Sequence, residues 1–237
     1  MSKAIDITYS IIKKALLQKR NALLDTEAKE LIGQFGIVSP KHVLTTSFSD
    51  AEKAALSIGY PVALKIVSPD IIHKTDAGGV MLNIHNEEEL HVSYDKILSV
   101  VKNKARNAEI YGVLLEKMEM PSTEVIIGGI RDPQFGPAVM FGMGGVFVEI
   151  FNDISFRIAP VEEYEAIDMI HEVKGVKLLC GFRNIEALDI STVAKTIMQV
   201  SEIMITIEEI NEIDLNPVFV YPKGVKAVDA RIILRKS

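Results

Sequence analysis

The order of its periodic segments constrains the fold of this 237-residue chain more than any other feature. Residues 5–20 place Ile5, Tyr9, Ile12 and Leu16 at steps of four and three, which is helical spacing. Segments of this kind dominate the first half of the sequence, whereas paired strands dominate the second half. Helices followed by hairpins predict an α+β chain with two lobes.

Capping and stop residues delimit the helices that follow the first one. Thr26 begins a second helix, and Gly36 ends it. Ser49 opens a third helix as the first residue of a capping box, S-D-A-E, and Gly59 ends it. Asn86 caps a fourth helix, whose first turn carries three glutamates that suit the positive end of the helix dipole.

Short β-branched and apolar runs predict the strands. Residues 124–142 form a predicted β-hairpin that turns at RDPQFG. The predicted strands are 61–67, 80–84, 111–118, 124–130, 137–142, 212–220 and 225–234, and one further helix spans about 185–208. The predicted division of the chain is an N-terminal helical segment at 1–25, a first lobe at 26–115 and a second lobe at 116–237.

Charge and composition limit which binding partners and which cellular compartment we expect for the chain. The net charge is −6, from 32 acidic and 26 basic residues without a basic tail, so nucleic acid is not an expected partner. The single cysteine, Cys180, excludes an intramolecular disulfide framework and fits a packing role in a reducing cytoplasm. Apolar runs such as 137–150 are broken well before the roughly 20 residues that a bilayer requires. We therefore expect a cytoplasmic protein that does not enter a membrane.

An oversized polar loop, SPDIIHKTDAGG at 68–79, joins two of the predicted strands. Hairpins need about two to five loop residues, and longer loops in compact domains are often functional. Gly78 and Gly79 would allow backbone amides to approach an anion closely. His73 lies within this loop, where an imidazole can act as a nucleophile that carries phosphate. A surface histidine is the alternative, and the residue by itself leaves both open.

Two charged residues lie inside apolar strands. Lys65 in VALKIV either extends its charge to solvent from an edge strand or directs its ammonium group into a cleft, where it would suit a nucleotide phosphate. Glu116 in LLEKM could accept a hydrogen bond from an adenine amino group. A salt-bridged edge strand is the alternative interpretation of Glu116.

Oxygen-bearing side chains collect on the two C-terminal strands. Glu212, Asp214 and Asn216 alternate along EIDLN and so share one face of their strand, and Asp229 lies on the next strand. Mg²⁺ prefers a few carboxylate or amide oxygens together with substrate phosphates. The pattern therefore predicts a magnesium site, and a solvated edge strand is the alternative.

Together these motifs resemble the ATP-grasp β subunits of ADP-forming (NDP-forming) acetyl- and acyl-CoA synthetases, which are relatives of succinyl-CoA synthetase. The resemblance runs from about residue 26 to residue 234, and its most specific part is VSPDIIHKTDAGGV. The other matching segments are TEAKELIGQFGIVSP, LLEKM, NEIDLNPVFV and VDARI. The implied fold is an ATP-grasp fold of two α+β lobes with the nucleotide between them.

The resemblance also implies roles for individual residues. Lys65 contacts nucleotide phosphate, and His73 is phosphorylated in transit. Glu116 and Met118 contact adenine, the latter through its backbone. The implied ligands of Mg²⁺ are Asn216, Asp229 and Asp214.

The resemblance implies a ligase that interconverts acyl-CoA, ADP and phosphate with acid, CoA and ATP. No glycine-rich Rossmann fingerprint opens a βαβ unit in this sequence, so a separate α subunit is expected to bind CoA and the acyl group in a hetero-oligomer, α2β2. Succinyl-CoA synthetase β subunits carry a basic glycine-rich stretch in place of HKTDAGG, which favours the acetate-type branch. Two alternatives remain open: an ATP-grasp carboxylate–amine ligase and a non-catalytic nucleotide-binding subunit.

Overall fold

The computed structural model of the chain describes residues 2–71, 74–145, 153–181 and 186–235. These residues form two compact units. The larger unit comprises Met1–Ser39 and Pro121–Ser237, and the smaller unit comprises Pro40–Met120. None of the helices within the described ranges is long and apolar enough to span a membrane.

Both units contain helices and strands. The helices are α1 (Ser2–Leu17), α2 (Asp25–Gln34), α3 (Phe48–Ile58), α4 (Glu87–Lys104), α5 (Glu163–Glu172) and α6 (Ile190–Thr206), with a 3-10 turn at Lys174–Leu178. The first strands are β1 (His42–Thr45), β2 (Val62–Val67), β3 (Val80–Ile84) and β4 (Gly112–Lys117). The later strands are β5 (Thr123–Asp132), β6 (Gly136–Met143), β7 (Ile154–Ile158), β8 (Ile210–Val220), β9 (Val225–Ala227) and β10 (Ala230–Leu234).

The smaller unit is a four-stranded antiparallel sheet with α3 and α4 packed on one face. The strand order is β1-β4-β2-β3, so β2 and β4 are internal strands. Val62, Leu64 and Ile66 of β2 enter the core that the helices close. Because successive side chains of a strand point to opposite faces, Lys65 lies on the face away from the helices.

The larger unit is built on an antiparallel sheet of order β10-β8-β5-β6-β7, to which β9 adds by pairing with β8. Four helices, α1, α2, α5 and α6, pack on one face of this sheet. Ile12 of α1 and Ile32 of α2 are fully buried in the same apolar core as Ile127, Phe141 and Ile213 of the sheet. The sheet's other face bears the predicted metal residues.

The structure divides the chain differently from the predicted division at 25 and 115. Residues 1–39 belong with the C-terminal part of the chain rather than forming a separate segment or joining a first lobe. The physical reason is the packing of α1 and α2 against the larger sheet: Ala22 forms an isolated bridge with Ile233, and the Leu23 N–H donates to the Ile232 carbonyl at 3.0 Å.

Several predicted elements are confirmed. The strand at 80–84 has the predicted bounds, and 124–142 lies within the β5–β6 hairpin. Asn86 is the N-cap of α4, because its Oδ1 accepts from the Glu89 N–H at 2.9 Å.

Other predictions of local structure are wrong. Ser47, not Ser49, caps α3, and its side chain accepts from the Asp50 N–H at 3.2 Å, so the helix begins before the predicted capping box. The predicted strand at 225–234 is two strands, β9 and β10, separated by a bend. The sequence pattern also predicts no strand at His42–Thr45, which is only four residues long and partly exposed at the edge of its sheet.

Candidate functional site

Lys65 and Glu116 form a buried ion pair in the smaller unit. The register of β2 and β4 sets Glu116 opposite Ala63, two residues before Lys65, so both charged side chains project from the same face. Lys65 Nζ lies 3.1 Å from Glu116 Oε1, and the side chains are only 10% and 2% exposed. Because β2 is an internal strand, Lys65 does not extend to solvent from a sheet edge. The pairing places a cation and a carboxylate together away from bulk water.

The backbone after Glu116 is already engaged in hydrogen bonds. The Met118 N–H donates to the Pro61 carbonyl at 3.1 Å. Lys117 Nζ donates to the carbonyls of Gly59 and Tyr60 at 2.9 and 2.7 Å. In this conformation the Met118 N–H is therefore not available to a purine ring, and the predicted adenine contact of Met118 stays a prediction.

The loop at 68–79 is anchored at both of its ends. At its start, the Asp70 carboxylate accepts from the Glu109 N–H at 2.7 Å. Near its end, Lys104 Nζ donates to the Asp76 carbonyl at 3.0 Å. The ends of this loop are therefore fixed by groups from the segment that runs from α4 toward β4.

His73 lies outside the described residues, as does Ile72. Ile71, directly before them, is buried in the apolar core of the smaller unit, and Lys74, directly after them, is half-buried. The predicted phosphoryl transfer through His73 stays a prediction.

Gly78 and Gly79 are required by the packing and turn of the loop itself. A Cβ on Gly78 would lie 2.6 Å from Val100 Cγ1 of α4, and one on Gly79 would lie 2.5 Å from Ile66 Cγ2. Gly78 also has a φ of +70°, which L side chains rarely adopt. Both amides donate to carbonyls of the loop, at 2.9 and 2.7 Å. In this conformation the amides are not available to an anion, and their predicted phosphate contact stays a prediction.

The predicted metal residues of β8 lie on the face of the larger sheet that is away from the helices. Ile213 and Leu215 of β8 are buried in the core, so the alternating positions Glu212, Asp214 and Asn216 project from the other face. Asn216 is exposed and the two carboxylates are half-buried. The shared face predicted from EIDLN is confirmed.

Asp214 and Asp229 lie close enough to interact electrostatically. Burial raises the pKa of Asp214, and the negative charges of Glu212 and Asp229 raise the pKa further, while the Arg231 guanidinium opposes both effects. Arg231 is the register partner of Asp214 on β10, and its Nη2 lies 3.7 Å from Glu212 Oε1. A cation at this face would relieve the repulsion between the carboxylates.

This donor set fits Mg²⁺ that is shared with a substrate. Within the described ranges, no group of three or more histidine, cysteine, aspartate or glutamate side chains could hold a metal by itself. Mg²⁺ commonly takes only one or two protein carboxylates and completes its shell with phosphates and water. Asp214, Asp229 and the Asn216 amide match that requirement.

Some residues that shape the site carry no recognisable signal in the sequence. Lys104 and Glu109 anchor the loop from positions far along the chain, and neither stands in a motif. Arg231 differs from them in that it stands in VDARI, two residues after Asp229.

The comparisons with known proteins identify the family. The family model described as an ATP-grasp domain matches residues 14–234. The chain is 46% identical, over 224 residues, to the β subunit of acetate–CoA ligase [ADP-forming] I of Pyrococcus furiosus, covering 94% of this chain and 96% of the relative. The chain therefore belongs to the ATP-grasp family, and its recognition as similar to the β subunits of ADP-forming acetyl-CoA synthetases is confirmed.

Solved structures agree with this assignment. The dinucleotide-forming acetyl-coenzyme A synthetase 1 of Candidatus Korarchaeum cryptofilum, in complex with coenzyme A, Ca-AMPCP and HgCl⁺, superposes with a TM-score of 0.94 at 49% identity, covering 96% of this chain and all of that chain. The same enzyme with coenzyme A and Mg-AMPPCP, its phosphohistidine segment pointing towards the nucleotide binding site, gives a TM-score of 0.86 at 46% identity with the same coverage. The predicted α+β ATP-grasp fold is confirmed.

Proposed function

We propose that this chain is the nucleotide-handling subunit of an ADP-forming acetate–CoA ligase, an acid–thiol ligase. With a partner subunit it would interconvert acetyl-CoA, ADP and phosphate with acetate, CoA and ATP. The observation that carries the proposal is the twelve-residue loop SPDIIHKTDAGG between β2 and β3, which directly follows the strand of Lys65. Near end-to-end similarity to a relative that is itself named a β subunit supports it.

The nucleotide would be bound through the smaller unit's charged strands. Lys65 supplies a compact positive charge for the phosphates, and the Glu116 carboxylate, which holds Lys65 in place, accepts from the adenine amino group. The buried setting strengthens both interactions, because little water competes with them. Backbone contacts by Gly78, Gly79 and Met118 would require the loop and strand end to exchange their present hydrogen bonds.

Mg²⁺ would be held by Asp214 and Asn216 of β8 and by Asp229, which lies between β9 and β10. When bound, the ion neutralises charge on the nucleotide phosphates, which is the main catalytic need in phosphoryl transfer. Burial raises the pKa of Asp214, and the negative charges of Glu212 and Asp229 raise it further against the opposing effect of Arg231. Such a group gains from a divalent cation.

His73 would carry the phosphoryl group between the partner subunit and ADP. Its neutral imidazole nitrogen attacks the phosphorus of a phosphohistidine on the partner, and the partner's N–P bond breaks as the new one forms. A terminal phosphate oxygen of ADP then attacks the same phosphorus, the N–P bond at His73 breaks, and ATP leaves with the histidine restored. The reverse direction uses the same two exchanges.

The partner would be a CoA- and acyl-binding α subunit, in an α2β2 assembly in the cytoplasm. In this proposal the chain supplies the nucleotide site, the metal site and His73, and the α subunit forms the acyl phosphate and the thioester. Acetate fits because the segment HKTDAGG matches the acetate-type branch.

Labelling of His73 tests the proposal directly. ATP labelled at the γ-phosphate, with Mg²⁺, should label the chain at one residue, and the bond should be labile in acid and stable in alkali, as in a phosphoramidate. His73→Asn should abolish labelling and turnover of the complex, because the amide keeps similar size but lacks the nucleophile, while ATP affinity changes less than about twofold. Mass spectrometry locates the label, and equilibrium dialysis measures ATP binding.

The matched control is His85→Asn, a histidine just beyond β3 that has no assigned role. It should keep both labelling and turnover. If His73→Asn completed the full reaction at near wild-type rate, phosphate would pass between the partner and ADP without this histidine. Nucleotide binding without turnover by the wild-type complex would instead indicate a non-catalytic subunit.

A further inference from the structure

His42 of β1 lies beside Glu116 of β4 in the sheet of the smaller unit. The register of the two strands makes these residues direct partners. Directly opposed side chains of an antiparallel pair project from one face, with Cβ atoms about 4.5–5.5 Å apart. Glu116 projects from the face away from the helices, so His42 projects from that face too. His42 is therefore a neighbour of the carboxylate that is proposed to accept from the adenine amino group.

Apolar side chains adjoin this polar pair on the same face. Leu44 and Leu114, two residues away on β1 and β4, are also register partners, and Leu44 is 41% exposed. Ala63 of β2 lies opposite Glu116 on its other side and carries only a small side chain. A site for a planar base needs an apolar surface for the ring and a few polar groups for its edge. This face of the sheet supplies both.

A backbone carbonyl determines the tautomer of neutral His42. Its Nδ1 lies 2.9 Å from the Pro40 carbonyl oxygen. A carbonyl oxygen only accepts, so Nδ1 carries the hydrogen, and Nε2 of the neutral imidazole is then a hydrogen-bond acceptor. Among the residues that the structure describes, none donates to this Nε2. The half-buried ring therefore presents an acceptor beside the Glu116 carboxylate.

Two neighbouring acceptors distinguish adenine from guanine. The 6-amino group of adenine has two N–H donors, whereas guanine has an acceptor oxygen at the same position. Two acceptors that each lie about 2.9 Å from an amino nitrogen, with about 120° between the N–H bonds, are about 5 Å apart. This separation matches the spacing of opposed side chains on paired strands. A carboxylate and an imidazole nitrogen in these positions can each accept one of the two N–H groups.

We propose that His42 is a specificity-determining residue that, together with Glu116, selects adenine over guanine nucleotides. This inference rests on the proposed function, in which Glu116 accepts from the adenine amino group. His42 Nε2 accepts from the second N–H of that group. A guanine in the same position directs its O6 atom at two acceptors and leaves both of them unpaired. A site that hydrogen-bonds a substrate N–H strongly rejects an analogue that lacks it.

Titration calorimetry of the full chain with Mg²⁺-ADP, Mg²⁺-GDP and Mg²⁺-IDP tests the proposal. The wild type should bind ADP at least about tenfold more tightly than GDP or IDP, because two hydrogen bonds are replaced by two acceptor–acceptor contacts. The base of IDP has the O6 atom of guanine but no 2-amino group. IDP therefore isolates the discrimination at the 6-position.

Two substitutions of His42 should reduce this selectivity in different ways. The amide of His42→Gln offers a donor as well as an acceptor, so the ratio of the GDP and ADP Kd values should fall at least about fivefold, chiefly through tighter GDP binding. His42→Phe keeps a ring but removes the acceptor, so the ratio should fall about three- to tenfold through weaker ADP binding. General damage to the fold would weaken both nucleotides alike and leave the ratio unchanged.

His91→Gln is the matched control, because the side chain of His91 is 60% exposed on α4, a helix that packs on the opposite face of the same sheet. Its ratio of Kd values should stay within about twofold of wild type. Should His42→Gln fail to fold, His42→Phe provides the same test.

Three results would overturn the proposal. They are equal wild-type affinities for ADP and GDP, wild-type binding of IDP as tight as that of ADP, and unchanged selectivity in both His42 variants. A wild-type chain that binds none of the three nucleotides would refute the proposed function and this specificity with it. A preference for ADP that depends on His42, in a chain whose complex with its partner makes no acetyl-CoA, would refute the ligase proposal while supporting the specificity.

Discussion

At the scale of single residues, the buried pair of Lys65 and Glu116 affects the stability of the fold and is also proposed to bind the nucleotide. Removing charges from water is costly, and the cost is offset only while both partners are present. The pair lies on internal strands, so the surrounding backbone holds its geometry. A nucleotide that binds there would meet a cation already in position, which lowers the entropy lost on binding.

Variants of this pair should therefore change the free energy of unfolding and the ATP affinity independently. Glu116→Leu leaves the Lys65 ammonium buried without its carboxylate and should lower the free energy of unfolding by about 3–5 kcal/mol. The double variant Lys65→Met/Glu116→Leu should regain most of that stability yet bind ATP at least about tenfold more weakly. Urea denaturation and calorimetric titration measure the two effects.

Lys102→Met, which removes an exposed lysine of α4, is the control and should change neither quantity. Wild-type ATP affinity in the double variant would mean that the ion pair serves the fold alone.

Asp214 offers a test that links pH, stability and metal. Its pKa is raised above the ordinary value of 3.8, mainly by burial, so the folded state binds this proton more tightly than the unfolded state. Its contribution to stability is therefore best below pH 3.8 and is lost as pH rises through the raised pKa. Asp214→Asn should raise Tm at pH 7 and remove this part of the pH dependence.

Mg²⁺ with ADP should then stabilise the wild-type chain more than Asp214→Asn, because the amide is a poorer ligand. Calorimetry with and without Mg²⁺-ADP measures both predicted differences in Tm between the wild type and Asp214→Asn. An equal shift of Tm by Mg²⁺-ADP in the two proteins would remove Asp214 from the metal site and leave Asn216 and Asp229 as its candidates.

Sequence reasoning could find the charged residues but not their partners. Lys65 and Asp214 stand out because each interrupts an otherwise apolar strand, and that conflict is visible in the sequence itself. The pairing of Lys65 with Glu116 depends on the register between β2 and β4, which no local pattern fixes.

At the scale of elements, the loop between β2 and β3 is defined by its anchors. Its start is held by Asp70 and its end by the Lys104 bond to the Asp76 carbonyl, while Gly78 and Gly79 pack closely against α4 and β2. The described residues at both ends of the loop are therefore held by groups from the rest of the smaller unit.

Loss of the Lys104 anchor should loosen the second half of the loop. Lys104→Met removes the donor to Asp76 and should speed amide hydrogen exchange at 74–79 by about two- to tenfold, the effect of one modest hydrogen bond. Lys102→Met, in the same last turn of α4, should leave the exchange unchanged. Equal exchange in wild type and Lys104→Met would mean that glycine packing, not this bond, holds the loop.

Strand β7 illustrates why some elements resist prediction. Residues 154–158, ISFRI, alternate between apolar and polar side chains, which is a recognisable strand pattern. Alternation does not reveal which set faces the core, because that depends on the neighbouring strand and helix. Here Ser155 and Arg157 face α5, and the apolar set is outward.

At the scale of the whole molecule, the two units are not consecutive in the sequence. Residues 1–39 pack with 121–237, and the smaller unit is inserted between them. The periodicity of α1 and α2 identifies them as amphipathic helices but carries no information on which sheet they cover. Long-range contacts, such as the hydrogen bond between Leu23 and Ile232, determine which sheet these helices cover.

Turnover, in contrast to nucleotide binding, should require more than this chain. Alone, it should bind Mg²⁺-ADP and gain stability of about 2.7 kcal/mol at a ligand concentration of 100 times Kd, which raises Tm by about 5–10 °C for a domain of this size. It should make no acetyl-CoA from acetate, ATP and CoA, because the proposed function assigns the acyl phosphate and thioester steps to the partner subunit. Adding the CoA-binding subunit should restore synthesis. Calorimetry and a thioester assay follow the two steps separately, and robust synthesis by the isolated chain would contradict the division of chemistry between two subunits.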